Sequence, residues 1–179
     1  MVAGPLGRGY VHVYTGNGKG KTTASLGLAL RAAGHGLKVL ILQFMKGWID
    51  YGELEGVRML SPHVELRQCG RDTFVDRGNP DPEDIRLARE GWEIAKEAIL
   101  GKKADMVILD EVNCAVEFGL LSVAEVLEIV KGKPDGMELI LTGRGAPADI
   151  IDAADLVTEM REVKHYYSKG VDARVGVER

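Results

Sequence analysis

At 179 residues, 45% apolar and 28% charged, the chain has the composition of one globular domain with a sizeable core, which excludes an intrinsically disordered protein. The formal charge is −4 with both signs spread along the sequence, and the lack of any basic run argues against a nucleic-acid partner. Cys69 and Cys114 form neither a CxxC nor a Cys/His zinc pattern, and no apolar stretch has signal-peptide or membrane-span length, so a soluble cytoplasmic protein with reduced thiols and no membrane partner is expected.

Residues 1–9 read as a flexible N-terminus ahead of a short strand at 10–15. Residues 21–33 are helical and almost wholly apolar, which predicts burial on most sides. The near-continuous apolar run 37–44 has the pattern of a central parallel strand covered on both faces, and 64–69 is a weaker strand. Asp81-Pro82 starts a helix, with Asp as cap and Pro at the first helical position, that runs to about Leu100. Ile85, Ala88, Trp92, Ala95 and Ile99 recur on one face of it. A strand at 106–109 follows, then a capping box, Ser122 with Glu125, opening a helix to Lys131. Strands at 138–142 and 156–160 flank a short helix at 148–153. This alternation predicts a single α/β domain over residues 1–179, a mostly parallel sheet with helices on both faces.

TGNGKGKTTAS follows the first strand and opens the first helix, the context a phosphate loop requires, so the domain reads as P-loop NTPase-like (RecA-like). Gly16, Gly18 and Gly20 let the backbone curl around phosphate oxygens with N–H groups pointing inward, and the helix N-terminus adds partial positive charge. Lys21 is placed against the phosphates, and Thr22 has the position whose hydroxyl ligates Mg²⁺. Three residues separate Gly16 from Gly20, one fewer than the usual GxxxxGK[ST] spacing, and the loop carries a second lysine, Lys19. A flexible turn without ligand is the bland alternative, and it does not account for GKGKTT placed directly after a strand.

MVILDE, residues 106–111, puts Asp110 and Glu111 at the carboxyl edge of the sheet, where one of them is expected to hold Mg²⁺ directly or through water. Arg144, in the TGRG turn after another strand, is either a bidentate phosphate donor or a surface arginine. Arg31 lies ten residues past Lys21, roughly 15 Å along a helix, which favours a structural salt bridge over a phosphate contact.

These residues resemble the ATP:corrinoid adenosyltransferases of the phosphate-loop type. The matches are VYTGNGKGKTTAS, QFMKG followed by Gly52-Glu53, VILDEVNCAVEFGLL, LILTGRGAP, and DLVTEMREVKHYYSKGV at 155–171, in family order over almost the whole chain. The resemblance implies that Co(I) of a reduced corrinoid attacks the 5′ carbon of ATP and that triphosphate leaves, in adenosylcobalamin biosynthesis or salvage. It implies an ATP lying reversed in the loop relative to kinases, an electron donor that reduces Co(II), and a homodimer. Carried over by position, Gly16, Asn17, Gly18, Lys19, Gly20, Lys21, Thr22 and Thr23 contact ATP. Thr22 and Glu111, with Asp110, serve Mg²⁺, and Lys21 and Arg144 act on the polyphosphate. Where members carry a GFTW-like stretch near the corrinoid this chain reads CGRDTFVDRG, so Phe74 takes the aromatic place and the tryptophan is missing. Two other readings share the loop: a P-loop ATPase or phosphotransferase, and a non-catalytic ATP-sensing module. Neither accounts for TEMREVKH after TGRGAP.

Overall fold

The apolar runs become strands buried on both faces, and alternate side chains along each strand divide between two cores. In β2 (Val39–Phe44), Val39 and Ile41 face one layer while Leu40, Leu42 and Phe44 face the other. β4 (Met106–Asp110) and β5 (Glu138–Thr142) repeat the split: Met106, Ile108 and Ile140 join Val39, and Val107, Leu109, Leu139 and Leu141 join Leu40. With β1 (Val11–Thr15), β3 (Val64–Cys69) and β6 (Leu156–Glu159) they form one parallel sheet in the order β3-β2-β4-β5-β1-β6. This computed structural model describes residues 6–47 and 51–178.

Helices α1 (Lys21–Gly34) and α2 (Gly52–Arg58) cover one face through Ala29, Ala32 and Val57. The other face is covered by α3 (Pro82–Leu100), α4 (Val112–Glu117), α5 (Val123–Gly132) and α6 (Ala148–Ala153). The expected doubly covered parallel sheet is what the chain forms, a phosphate-loop α/β fold. Trp92 is buried at the centre of the α3 face, where truncation of a tryptophan to alanine costs about 3–5 kcal/mol. The predicted caps form: Asp81 accepts from the Glu83 N–H at 2.8 Å, and both halves of the Ser122–Glu125 capping box are present. No helix among the described residues is long and apolar enough to cross a membrane.

Three expectations need correction. Helix α1 is not buried on most sides: its buried residues Lys21, Ser25, Ala29 and Ala32 form one stripe, and Leu30 is 57% exposed. The helix lies on a single sheet face, and small and apolar residues tolerate the outer side. On α3, Ala88, Trp92, Ala95 and Ile99 are buried as expected, but Ile85, in the first turn, is exposed. Arg31 is exposed and makes no ion pair among the described residues. Residues 1–5 of the N-terminal segment lie outside the described residues; beyond them Leu6 packs against the α1 core, and Lys133 Nζ donates to the Gly9 carbonyl at 2.9 Å.

The chain leaves β1 through α1 to reach β2, and β4 and β5 later fill the space between them. Every strand points the same way, so the carboxyl ends of β1, β2, β4, β5 and β6 converge on one edge, the crevice where ligands bind in open α/β sheets.

Candidate active site

β1 ends at Thr15 and α1 begins at Lys21, so residues 16–20 form a loop at that edge. Gly16 and Gly20 take φ of 91° and 121°, conformations open to glycine and strained for other residues. Gly18 is required for a different reason. Its N–H donates to the Met160 carbonyl at 2.6 Å, and a Cβ there would stand 2.7 Å from that same oxygen. The loop is thus seated against the chain leaving β6. Lys21 is buried and folds back over the loop, with Nζ donating to the carbonyls of Gly16 at 2.7 Å and Gly18 at 2.8 Å. Burial pushes its ammonium below the ordinary lysine value; Glu111 works against that shift and Arg144 reinforces it.

Asp110, at the end of β4, is fully buried and accepts four hydrogen bonds. Thr22 Oγ1 (2.9 Å) and Thr142 Oγ1 (2.7 Å) donate to Oδ1; Gln43 Nε2 (3.2 Å) and Lys46 Nζ (2.9 Å) donate to Oδ2. The carboxylate therefore ties the first turn of α1 to the ends of β2 and β5. Glu111 follows with φ 60°, a left-handed residue that turns the chain from β4 into α4, and its N–H donates to Thr142 Oγ1 at 2.9 Å.

Two cavities open at this edge. The first, about 640 Å³, is lined by Asn17, Gly18, Lys19, Gly20, Lys21, Thr22, Thr23, Glu111 and Arg144, so the structure brings nearly all the expected site residues together. Gly16 supplies a carbonyl to Lys21, and Asp110 lies beneath the floor. The second, about 600 Å³, has a partly apolar lining from Met45 and Phe118, with Arg77 paired to Glu117 at 2.9 Å. Phe74 is fully exposed and lines neither cavity.

Several site residues were not singled out from the sequence. Lys46, Tyr51 and Glu53 come from the segment after β2, where a lysine immediately past a buried strand, in QFMKG, was the available signal. Glu162, His165, Val177 and Glu178 come from the tail, which folds back over the loop so that Lys19 Nζ donates to the Val177 carbonyl at 3.1 Å. His165 Nδ1 accepts the Tyr167 N–H at 3.0 Å, so the neutral ring carries its proton on Nε2 and offers a donor rather than a base.

The chain is similar to known proteins over nearly its whole length. Residues 7–179 match the family described as ATP:corrinoid adenosyltransferase BtuR/CobO/CobP. The chain is 41% identical over 172 residues to the corrinoid adenosyltransferase of Escherichia coli (strain K12), covering 96% of this chain and 86% of that protein. It is 39% identical over 171 residues to corrinoid adenosyltransferase CobA of Salmonella typhimurium, covering 96% and 86%. To the corrinoid adenosyltransferase of Pseudomonas aeruginosa it is 37% identical over 171 residues, covering 96% and 84%. With the phosphate loop, the buried aspartate and the tail all in place over that full span, the chain belongs to the ATP:corrinoid adenosyltransferase family, enzymes that adenosylate corrinoids with ATP in cobalamin biosynthesis.

Proposed function

We propose that the first cavity holds ATP with its triphosphate in the loop, that the second receives the corrinoid, and that they meet at the 5′ carbon. The observation that carries this reading is the shared wall: Asn17, Lys46, Tyr51, Glu111 and Arg144 line both cavities. A polyphosphate held on one side of that wall presents its ribose toward a partly apolar recess on the other. The cobalt–carbon bond forms with the electron pair of Co(I), the bond from the 5′ carbon to oxygen breaks, and its pair leaves on triphosphate. Charge develops on the leaving oxygens, where the loop N–H groups, Lys19, Lys21 and Arg144 stabilise it. No proton has to be removed, in keeping with a His165 ring that offers a donor.

Mg²⁺ fits this donor set. The Thr22 hydroxyl and the carboxylates of Asp110 and Glu111 are hard oxygens at one strand edge. Among the described residues no three His, Cys, Asp or Glu side chains form a ready cage, which suits an ion that takes the rest of its shell from phosphate and water. Bound there, Mg²⁺ would neutralise charge on the leaving triphosphate. An external donor reducing the cobalt, a homodimeric assembly, a cytoplasmic setting, and Phe74 swinging toward the corrin face complete the reading.

The test mixes protein, Mg-ATP and a chemically reduced corrinoid. The corrin spectrum and the phosphate products are followed at early times. Equal amounts of intact triphosphate and adenosylated corrinoid are expected. Stoichiometric ADP formed without corrinoid would replace this reading by that of an ATPase.

A further inference from the structure

Of the basic side chains lining the first cavity, Lys46 alone is ion-paired to a carboxylate among the described residues. Its backbone is fixed. Met45 before it is a non-glycine residue at φ 58°, and Gly47 after it packs so tightly that a Cβ would meet the Gly70 carbonyl oxygen at 1.8 Å. The strand end therefore aims the side chain, which keeps only 18% exposure and lies with its ammonium 5.7 Å from the centre of the Tyr51 ring.

What the ammonium touches is the oxygen a metal ion would use. Asp110 Oδ1 is taken up by two hydroxyls, from Thr22 and Thr142. Oδ2 accepts from the Lys46 ammonium at 2.9 Å and from the Gln43 amide at 3.2 Å, and of these two donors Lys46 is the one that lines the cavity. We propose that Lys46 is a tethered cation that occupies the metal's place at Asp110 in the empty site and moves onto the polyphosphate when metal and nucleotide enter together. This rests on the reading that Mg²⁺ binds at Asp110 and Glu111.

A monovalent and a divalent cation cannot share one carboxylate oxygen at such distances, so the arriving metal drives the ammonium off. Without polyphosphate the displaced ammonium has no new partner, and the exchange is unfavourable. With polyphosphate it gains acceptor oxygens across the same cavity, and its four-carbon stem lets the head move while the backbone stays. Metal and polyphosphate should therefore bind cooperatively, each raising the other's affinity by the same factor.

The experiment titrates Mg²⁺ alone, without nucleotide, into the unaltered chain and into Lys46→Met, by calorimetry. The variant is expected to bind Mg²⁺ about tenfold tighter or more, because the competing cation is gone. Equal affinity in the two proteins would overturn the proposal. Removing Lys46 leaves a buried carboxylate unpaired, so a second comparison covers a variant that fails to fold. Asp110→Asn is compared with the double variant Lys46→Met, Asp110→Asn for binding of inorganic tripolyphosphate. The double variant should bind about tenfold more weakly, and equal binding would remove Lys46 from the polyphosphate site. Failure of the metal reading itself shows separately, as Mg²⁺-independent nucleotide binding that Glu111→Gln does not change.

Discussion

Replacing Gly18 by alanine separates the shape of the loop from its charge. The added methyl would meet the backbone of two successive residues: the Met160 oxygen at 2.7 Å, its carbon at 2.8 Å and the Arg161 carbonyl carbon at 2.9 Å. It would lie about 0.7 Å inside ordinary contact, and backbone cannot rotate away as a side chain can. Overpacking of this kind costs about 1–3 kcal/mol. At 2–4 °C per kcal/mol for a chain of this size, a middle value lowers the melting temperature by about 4–8 °C. The loop must shift away from Met160, carrying the Gly18 carbonyl that holds Lys21 Nζ, and a displacement approaching 1 Å costs roughly a hundredfold in a reaction that depends on positioning. Gly27→Ala is the control: Gly27 lies in α1 with nothing near its would-be Cβ, and the change should raise stability by about 0.5–1 kcal/mol and leave activity alone. Thermal melts by circular dichroism and calorimetric titration with Mg-ATP read both variants. A Gly18→Ala protein that melts and binds Mg-ATP like the unaltered chain would show that the loop does not depend on its seat against β6.

Lys21→Ala should keep the fold and weaken Mg-ATP by about 2–3 kcal/mol, some 30- to 150-fold, because a charge-assisted phosphate contact is lost; near-normal calorimetric binding would refute the loop assignment. Glu111→Gln keeps the shape of the left-handed corner and should raise the Mg²⁺ concentration needed for turnover, with Asp110→Asn doing so through loss of its buried network; an unchanged Mg²⁺ dependence in both would make the carboxylates structural. Burial pushes the Cys114 thiol up to about 12, with Glu111 adding to the shift, and burial pushes Cys69 up to about 11. Both values lie above the unfolded thiol range, so the stability they lend is complete below that range and is lost as pH rises toward them. Iodoacetamide should therefore label the native protein far more slowly than the unfolded one near neutral pH, and equal rates would contradict the burial of Cys69 and the raised thiol of the half-buried Cys114.

The sheet was legible because its strands are either near-continuous apolar runs or sit between strong punctuation, and β2 and β4 are buried along their whole length. The phosphate loop and the Asp110-Glu111 corner were legible because glycine spacing and a carboxylate after an apolar strand each have a physical cause. What stayed hidden depends on tertiary contacts. Helix α1 reads as buried on most sides because it is almost wholly apolar, yet it faces one layer, and an apolar sequence does not specify an outer cover. Helices α2 and α4 are short, and their single buried stripes are too brief for a periodic signal. Lys46 reads as an ordinary lysine until the parallel register places Gln43 beside Asp110, which brings the turn after β2 over the end of β4.

The short loop and the distant tail motif make physical sense as one unit. β6 pairs only with β1, so the chain leaving β6 emerges beside the loop that leaves β1. There the Met160 carbonyl takes the Gly18 N–H, and a Cβ at Gly16 would stand 2.5 Å from the same oxygen. Alternate loop positions are thus restricted to glycine by one carbonyl more than a hundred residues away in sequence. Beyond Met160 the tail returns over the loop, fastened by Arg174 and Tyr166 to Glu178, whose carboxyl is held down to about 2 first by Arg174 and then by Tyr166. Val177 then meets Lys19, the lysine that the usual loop lacks. GNGKGKTT and TEMREVKH therefore meet in one wall, joined where the Gly18 N–H donates to the Met160 carbonyl and where Gly16 and Gly18 leave no room for a side chain.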